Sequence, residues 1–297
     1  KVVRIGLTYP QKYSIIYNIK GGIYMSNEIS NLDNLSNDKI MAMVGQDVDM
    51  GGSSLGKLSI NYESEDSDGN PIKRGLYKVD GTDKGIVFAE KVLFRPFLNT
   101  FQYKKYDEEN EDNNYKTVMF RSWSDSKIDT NGTESCGSTP KAERENLDPV
   151  GKIEQDKITC YRNVFGVVSL KGKTSKGEEV ILTDEPVLYR VRGVNFMPIG
   201  NMLQRLSKRN KIMYNSVLNF DGTEKHTKGS VTYFTANIKD ANKDVTFSNS
   251  DKETLKGFLE FVESENTYVK DVHAKAKKAH VTPQDIEDEK LLKEVSA

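Results

Sequence analysis

From Leu55 onward the order of apolar and polar residues follows a period of two far more often than a helical period. Leu58, Ile60 and Tyr62 alternate with Lys57, Ser59 and Asn61, the signature of a half-buried strand. A second strand starts at Leu76 to Val79, with Asp68-Gly69 and Asp80-Gly81 as turn signals on either side. The run from Phe88 to Tyr106 is too long for one straight strand. Pro96 has no amide hydrogen to give a ladder, which predicts a kink near Arg95-Pro96. The acidic insert Asp107 to Asn114 stands where a hairpin loop would lie. Tyr115 to Trp123 then alternates again, with Val118 and Phe120 on one face and Met119, Arg121 and Trp123 on the other. Ile158 to Tyr161, Val164 to Leu170, Val180 to Leu182 and Val187 to Val191 read as further strands, with a charged loop at Lys171 to Glu179.

The period changes twice. Ile199, Met202, Leu203 and Leu206 recur at helical spacing behind Pro198, a residue suited to a helix's first turn. A hairpin comes next, Ile212 to Phe220 and Ser230 to Ile238, turning around Asp221-Gly222. Ser250-Asp251-Lys252-Glu253 reads as a capping box for a last helix with Leu255, Phe258, Leu259 and Val262 inward. Many strands, one inserted helix and one C-terminal helix predict a mainly β protein. The expected architecture is an oligonucleotide-binding (OB)-like Greek-key barrel with long loop insertions, and a β-sandwich is the alternative.

Organisation follows from the same pattern. The chain begins with Lys1, and its first methionine, Met25, comes shortly after Lys20-Gly21-Gly22, whose codons can spell a bacterial ribosome-binding site. Residues 1–24 therefore read as translated leader in a bacterial or phage gene, with a strand-rich N-terminus (Val2, Val3, Ile5) as the competing reading. Residues 25–54 read as a flexible polar arm, 55–240 as the β-rich core, and 241–297 as a C-terminal helix and a mixed-charge tail with an acidic end. Residues 124–156 carry few apolar groups and many turn formers, and read as a mobile insert.

The 297 residues carry a net charge of −1, so whole-chain charge points to no polyanionic partner. Regional charge does. Between Arg190 and Gly229 eight basic residues face two acidic ones, a local +6, and in residues 71–123 without the loop 107–112 ten face three, a local +7. Basic blocks interleaved with aromatics are an electrostatic footprint for nucleic acid. The stretch IVFAEKVLFRPFLNTFQYKKYDEENEDNNYKTVMFRSW, which holds the chain's only tryptophan, shows that interleaving most densely.

Catalytic chemistry finds little support. Gly172-Lys173-Thr174 lacks the leading glycine of a phosphate loop, since position 167 is Val167, and the residues after Thr174 read as a strand where the loop needs a helix. Two cysteines, Cys136 and Cys160, and three histidines exclude a disulfide framework and make no zinc set. His226, His273 and His280 fall in polar loop or tail context, which gives Cys136 no evident partner for nucleophilic work. No catalytic residue, metal or cofactor is expected, and no apolar run approaches the roughly 18–20 residues of a membrane span.

The segments VLFRPFLNTFQYKKYD, KITCYRNVFGVVSL and PVLYRVRGVNFMPIG, with the tail QDIEDEKLLKEVSA, resemble in their arrangement the phage-encoded single-stranded DNA-binding proteins. The tail departs from that family in containing Lys290 and Lys293 and ending in Val-Ser-Ala. The resemblance implies a non-enzymatic, sequence-tolerant binder of single-stranded DNA in phage replication or recombination, working in the host cytoplasm, with a homo-oligomer possible. Its stacking residues would be Trp123, Phe94, Tyr103, Tyr106 and Tyr161. Its phosphate contacts would be Arg95, Lys104, Lys105, Arg121, Arg190, Arg192, Arg205, Lys208 and Arg209. Asp285, Glu287, Asp288 and Glu289 of the tail would recruit replication or recombination proteins. The competing expectation is a phage structural or assembly protein whose loops and tails dock on other subunits.

Overall fold

The computed structural model of the chain describes residues 55–111, 114–121, 128–132 and 141–280. The leader and arm expected at 1–54, Trp123, Cys136 and the acidic tail residues lie outside the described residues. The fold is mainly β, with a mixed sheet of nine strands and a long C-terminal helix. In chain order the strands are β1 (Gly56–Ile60), β2 (Tyr77–Thr82), β3 (Gly85–Ala89), β4 (Lys91–Lys105) and β5 (Tyr115–Lys116). After the short helices α1 (Lys141–Arg144) and α2 (Pro149–Asp156) come β6 (Ile158–Lys173) and β7 (Glu179–Val191). Helix α3 (Phe196–Lys208) precedes the hairpin β8 (Ser216–Lys228) and β9 (Val231–Asp244), and α4 (Asn249–His280) comes last.

Strands β3 and β4 are separated only by Glu90 and behave as one bent strand. β3 pairs with β2 on one side and meets β6 at Phe88 and Lys173 on the other, while β4 pairs with β6 over most of its length. β6 pairs with β7, and β7 lies parallel to β1. These pairings close a ring in which β1, β2, β3/β4, β6 and β7 follow one another in chain order, whereas a Greek-key order was expected. The reason is local: within the ring each strand pairs with the one before it, and β7 closes on β1. β8 and β9 extend the sheet from the first residues of β4.

Two cores share this sheet. Phe94, Val164, Val168, Tyr189, Leu218 and Phe220 face Ile199, Met202 and Leu206 of α3. Leu98, Phe165, Val167 and Leu188 point the other way, to Phe258 and Val262 of α4. β4, β6 and β7 are thus covered on both faces, which is why they read as near-continuous apolar runs. The kink predicted at Pro96 is a register shift between Pro96 and Leu98. Opposite it stands Gly166, where a Cβ would collide with the Arg95 carbonyl oxygen.

Three sequence expectations need correction. Asp221-Gly222 is a bulge inside β8, where the register shifts between Phe220 and Thr223 and Gly222 takes a positive φ of 73°. The turn comes later, at Gly229-Ser230. The capping box sits two residues early: the Ser248 amide donates to Asp251 Oδ2 (2.8 Å) and the Asp251 amide to Ser248 Oγ (3.1 Å). The second half of the 124–156 insert is helical, because Asp148 caps α2 by accepting from the Gly151 amide (2.7 Å), with Pro149 next to it.

Helix α4 buries a stripe at Asp251, Phe258, Val262, Val269 and His273, repeating about every 3.7 residues. Its first turn is bolted to the sheet. The Arg95 guanidinium clasps the Asp251 carboxylate with both terminal nitrogens, Nη1 to Oδ2 at 3.0 Å and Nη2 to Oδ1. Further along, the Asn266 side chain pairs with the backbone of Met119, donating to its carbonyl (3.0 Å) and accepting from its amide (2.6 Å).

Burial alone would raise the Asp251 carboxyl, but hydrogen bonds from Arg95 and Ser248 outweigh it and hold the group below its ordinary value of 3.8. A depressed acid contributes stability that is present above its unfolded pKa and lost as pH falls through the folded one. Asp251→Ala leaves Arg95 buried and unpaired, and is expected to cost about 3–5 kcal/mol. Urea unfolding at pH 7 should show that loss, and the variant should lack the part of the acid sensitivity below pH 3.8 that Asp251 supplies.

Candidate functional site

β4, β6 and β7 run on past the two cores, and at this end their side chains change character. Register puts Thr100 opposite Asn163 and Asn163 opposite Arg190, all on the α4 face. One step outward Gln102 lies opposite Tyr161, and Lys104 opposite Thr159. Arg192 follows β7 on the same side. The Lys104 ammonium stands 5.6 Å from the Tyr161 ring centroid and the Arg192 guanidinium 5.7 Å from it, both within cation–π range. Arg190 donates from Nε to Asn163 Oδ1 at 2.8 Å.

The opposite, α3 face carries Phe101, Tyr103 and Arg162. Arg162 lies beside two touching rings, 4.8 Å from the Phe101 centroid and 4.7 Å from that of Phe196. Tyr103 stacks on Phe120 with centroids 5.7 Å apart. Both faces of one sheet end are therefore basic and aromatic.

The charge here is poorly balanced. Glu265 of α4 is the carboxylate acting on Lys104 and Arg190, and it bonds Lys116 at 3.1 Å. Burial, followed by the charges of Arg190 and Lys116, pushes Lys104 down from 10.5 to about 8. Polar atoms are unbalanced as well. Asn99 Oδ1, Thr100 Oγ1, Gln102 Oε1, Arg162 Nε and Asn163 Nδ2 are buried without a hydrogen-bond partner among the described residues. Such an atom costs about 1–3 kcal/mol when left unmade, and each one in a native protein calls for an explanation.

Of the residues expected to bind, Tyr161, Lys104, Arg190 and Arg192 come together here. Tyr103 is on the other face against Phe120, and Tyr106 is exposed just past β4. Phe94 is not a stacking platform: it is fully buried between Tyr189 and Phe220. Arg95 is not a phosphate ligand, since it is buried against Asp251. Lys105 is engaged by Glu154 at 2.7 Å, in a network where Lys157 joins Asp107 and Glu154 and ties α2 to the end of β4. Arg121 lies apart, in a groove of about 590 Å³ against α4 with Lys256 and Lys270. Arg205, Lys208 and Arg209 occupy the far end of α3, roughly 14–20 Å along its axis from Phe196, with Arg209 3.5 Å from Asp240.

Sequence reasoning missed Arg162, Asn163, Gln102 and Thr100. A signal existed in β6: Arg162 shares its alternation with Val164 and stands opposite Phe101, an odd place for a charge. The histidines are not in loops, as the sequence suggested, but in a strand and in the last helix. His226 stacks on Tyr233 within the β8–β9 hairpin, and buried His273 places Nδ1 2.9 Å from the Asp129 carbonyl oxygen. Burial pushes the Cys160 thiol up to about 12, leaving it protonated at neutral pH. Among the described residues no group of three His, Cys, Asp or Glu side chains could hold a metal ion, and no helix is long and apolar enough to cross a membrane. No family model, curated protein or solved structure matches the chain.

The depressed Lys104 has a measurable consequence. Between pH 8 and 10.5 Lys104 binds fewer protons in the folded protein than in the unfolded chain, so the contribution of this group to stability rises with pH across that window. Lys104→Met should flatten this rise and leave the protein more stable than wild type at pH 7. Urea midpoints at pH 7, 8.5 and 10 check it, and equal slopes for both proteins would remove the assignment.

Proposed function

We propose that the chain is a non-enzymatic, sequence-tolerant binder of single-stranded nucleic acid, with DNA as the expected ligand. The observation that carries this reading is the Tyr161 ring flanked by Lys104 and Arg192, with Arg190 alongside. A half-buried ring offers one face to a base of any sequence, and the cations beside it suit the phosphates on either side. The unpartnered polar atoms beneath fit a surface built for a polar ligand more readily than one built for stability. The closed five-strand ring is compatible with the broad barrel class expected from the sequence, although its strand order is sequential. Phage replication or recombination remains the setting that the resemblance suggests, with the tail as the partner-recruiting segment.

A second reading, an assembly protein that docks on other subunits, is favoured by one observation. Leu93 and Ile181 are exposed beside a cleft of about 430 Å³ that Val92 and Leu182 also line. Paired apolar exposure of this kind is a contact surface in small.

Titration of labelled dT30 at 50–300 mM NaCl tests the first reading. Binding should weaken steeply with salt and exceed duplex binding of equal length. Tyr161→Ala should weaken it about five- to 150-fold, the equivalent of 1–3 kcal/mol per stacked base. No binding at 50 mM salt would favour the docking reading, which sedimentation of wild type against Ile181→Asp examines directly.

A further inference from the structure

We infer that Arg162 forms a second phosphate-binding subsite, on the opposite face of the sheet end from Tyr161; the inference rests on the nucleic-acid reading but can fail separately from it. Several observations carry it. The guanidinium carbon stands 4.8 Å from the Phe101 ring centroid and 4.7 Å from that of Phe196, two rings that also touch each other with centroids 6.1 Å apart. No carboxylate pairs with it among the described residues, and its buried Nε donates to nothing. Burial lowers its pKa, so the surroundings disfavour the charge, and the neighbouring Cys160 thiol stays protonated and supplies no counter-charge. Gly200 of α3 makes room for it: a Cβ there would stand 2.7 Å from Nη2.

A half-buried cation with no anion beside it among the described residues carries a desolvation cost that a bound anion would offset. A guanidinium with no carboxylate partner among the described residues keeps for an oxyanion the planar fork that binds it with two parallel N–H bonds. The first turn of α3 lies against it, and the partial positive charge of a helix N-terminus adds to the field that favours an anion. The arginine is the site, and the helix end only reinforces it.

Arg162 and Tyr161 are adjacent residues of β6 that point to opposite faces. A strand stacked on Tyr161 can therefore wrap the end of the sheet and place another of its phosphates on Arg162. That makes the end of β4, β6 and β7 a post around which single-stranded nucleic acid bends.

The test uses the full chain, fluorescein-labelled dT30 and a series of NaCl concentrations. Arg162→Met should unfold within a few degrees of wild type, bind about tenfold more weakly at 50 mM NaCl, and lose roughly 0.7 from the slope of log K against log[NaCl], the value of one phosphate contact on a single strand. Tyr161→Ala should weaken binding with the slope unchanged, which separates stacking from charge. If the methionine variant does not fold, Arg162→Gln, which keeps a planar polar group beside the rings, takes its place with the same expected slope. A folded variant with wild-type slope and affinity overturns the subsite. If wild type itself does not bind dT30, the nucleic-acid reading fails, and sodium tripolyphosphate then tests Arg162 by calorimetry. Heat in wild type and none in Arg162→Met sustains an anion subsite, and no heat in either protein overturns it.

Discussion

The structure depends on one buried ion pair. Arg95 sits in β4 at the point where Pro96 breaks the ladder, and Asp251 sits in the first turn of α4. Their two-pronged contact joins the most irregular point of the sheet to the start of the longest helix. Asp251 has a second duty in the same place, since it also closes the capping box with Ser248. Charges taken this far out of water gain little net stability over an apolar pair, but breaking one is costly. What the pair supplies is a fixed starting point from which Phe258 and Val262, and then Glu265 and Asn266, fall into place over the sheet.

That placement determines what the end of the sheet is like. Near Arg95 both faces of β4, β6 and β7 are filled by apolar side chains from α3 and α4. Farther out the apolar side chains give way, and the same strands carry Thr100, Gln102, Lys104, Asn163 and Arg190 beneath a helix that offers Glu265. A fold selected for stability alone would have continued the apolar alternation. The exchange of packing for unbalanced polarity is confined to a few residue pairs, and the sheet tolerates it because the strands are held by two cores a short distance away.

Much of this was legible in sequence, for identifiable reasons. Alternation at Leu58 and Ile60, the helical spacing of Ile199 to Leu206, and the proline kink are local signals, and they survive folding unchanged. The β-rich class followed from them. Strand β6 was read as two pieces because Arg162 and Asn163 interrupt its apolar run, and those two residues belong to the candidate site. The mistaken assignments were Arg95, Phe94 and Lys105. Each looked like a binding residue because its type fits the task, and each has a partner far away in the chain: Asp251, Phe220 and Glu154 respectively. Pairing over such distances leaves no trace in a local pattern, whereas Tyr161, Lys104, Arg190 and Arg192 converge because the register of three neighbouring strands brings them together.

The length of β4 and β6 carries a mechanical consequence. Their antiparallel ladder runs from Leu93 and Ser169 to Lys105 and Ile158, a span on the order of 40 Å at about 3.3 Å per residue. Its hydrogen bonds lie across the strand axis. A force along that axis on one of the two strands alone loads every rung in shear at once, whereas a pull across the sheet would part them one by one. The same architecture is thus stiff in one direction and compliant in the other, and a tension transmitted along the strands meets the resistance of the whole ladder.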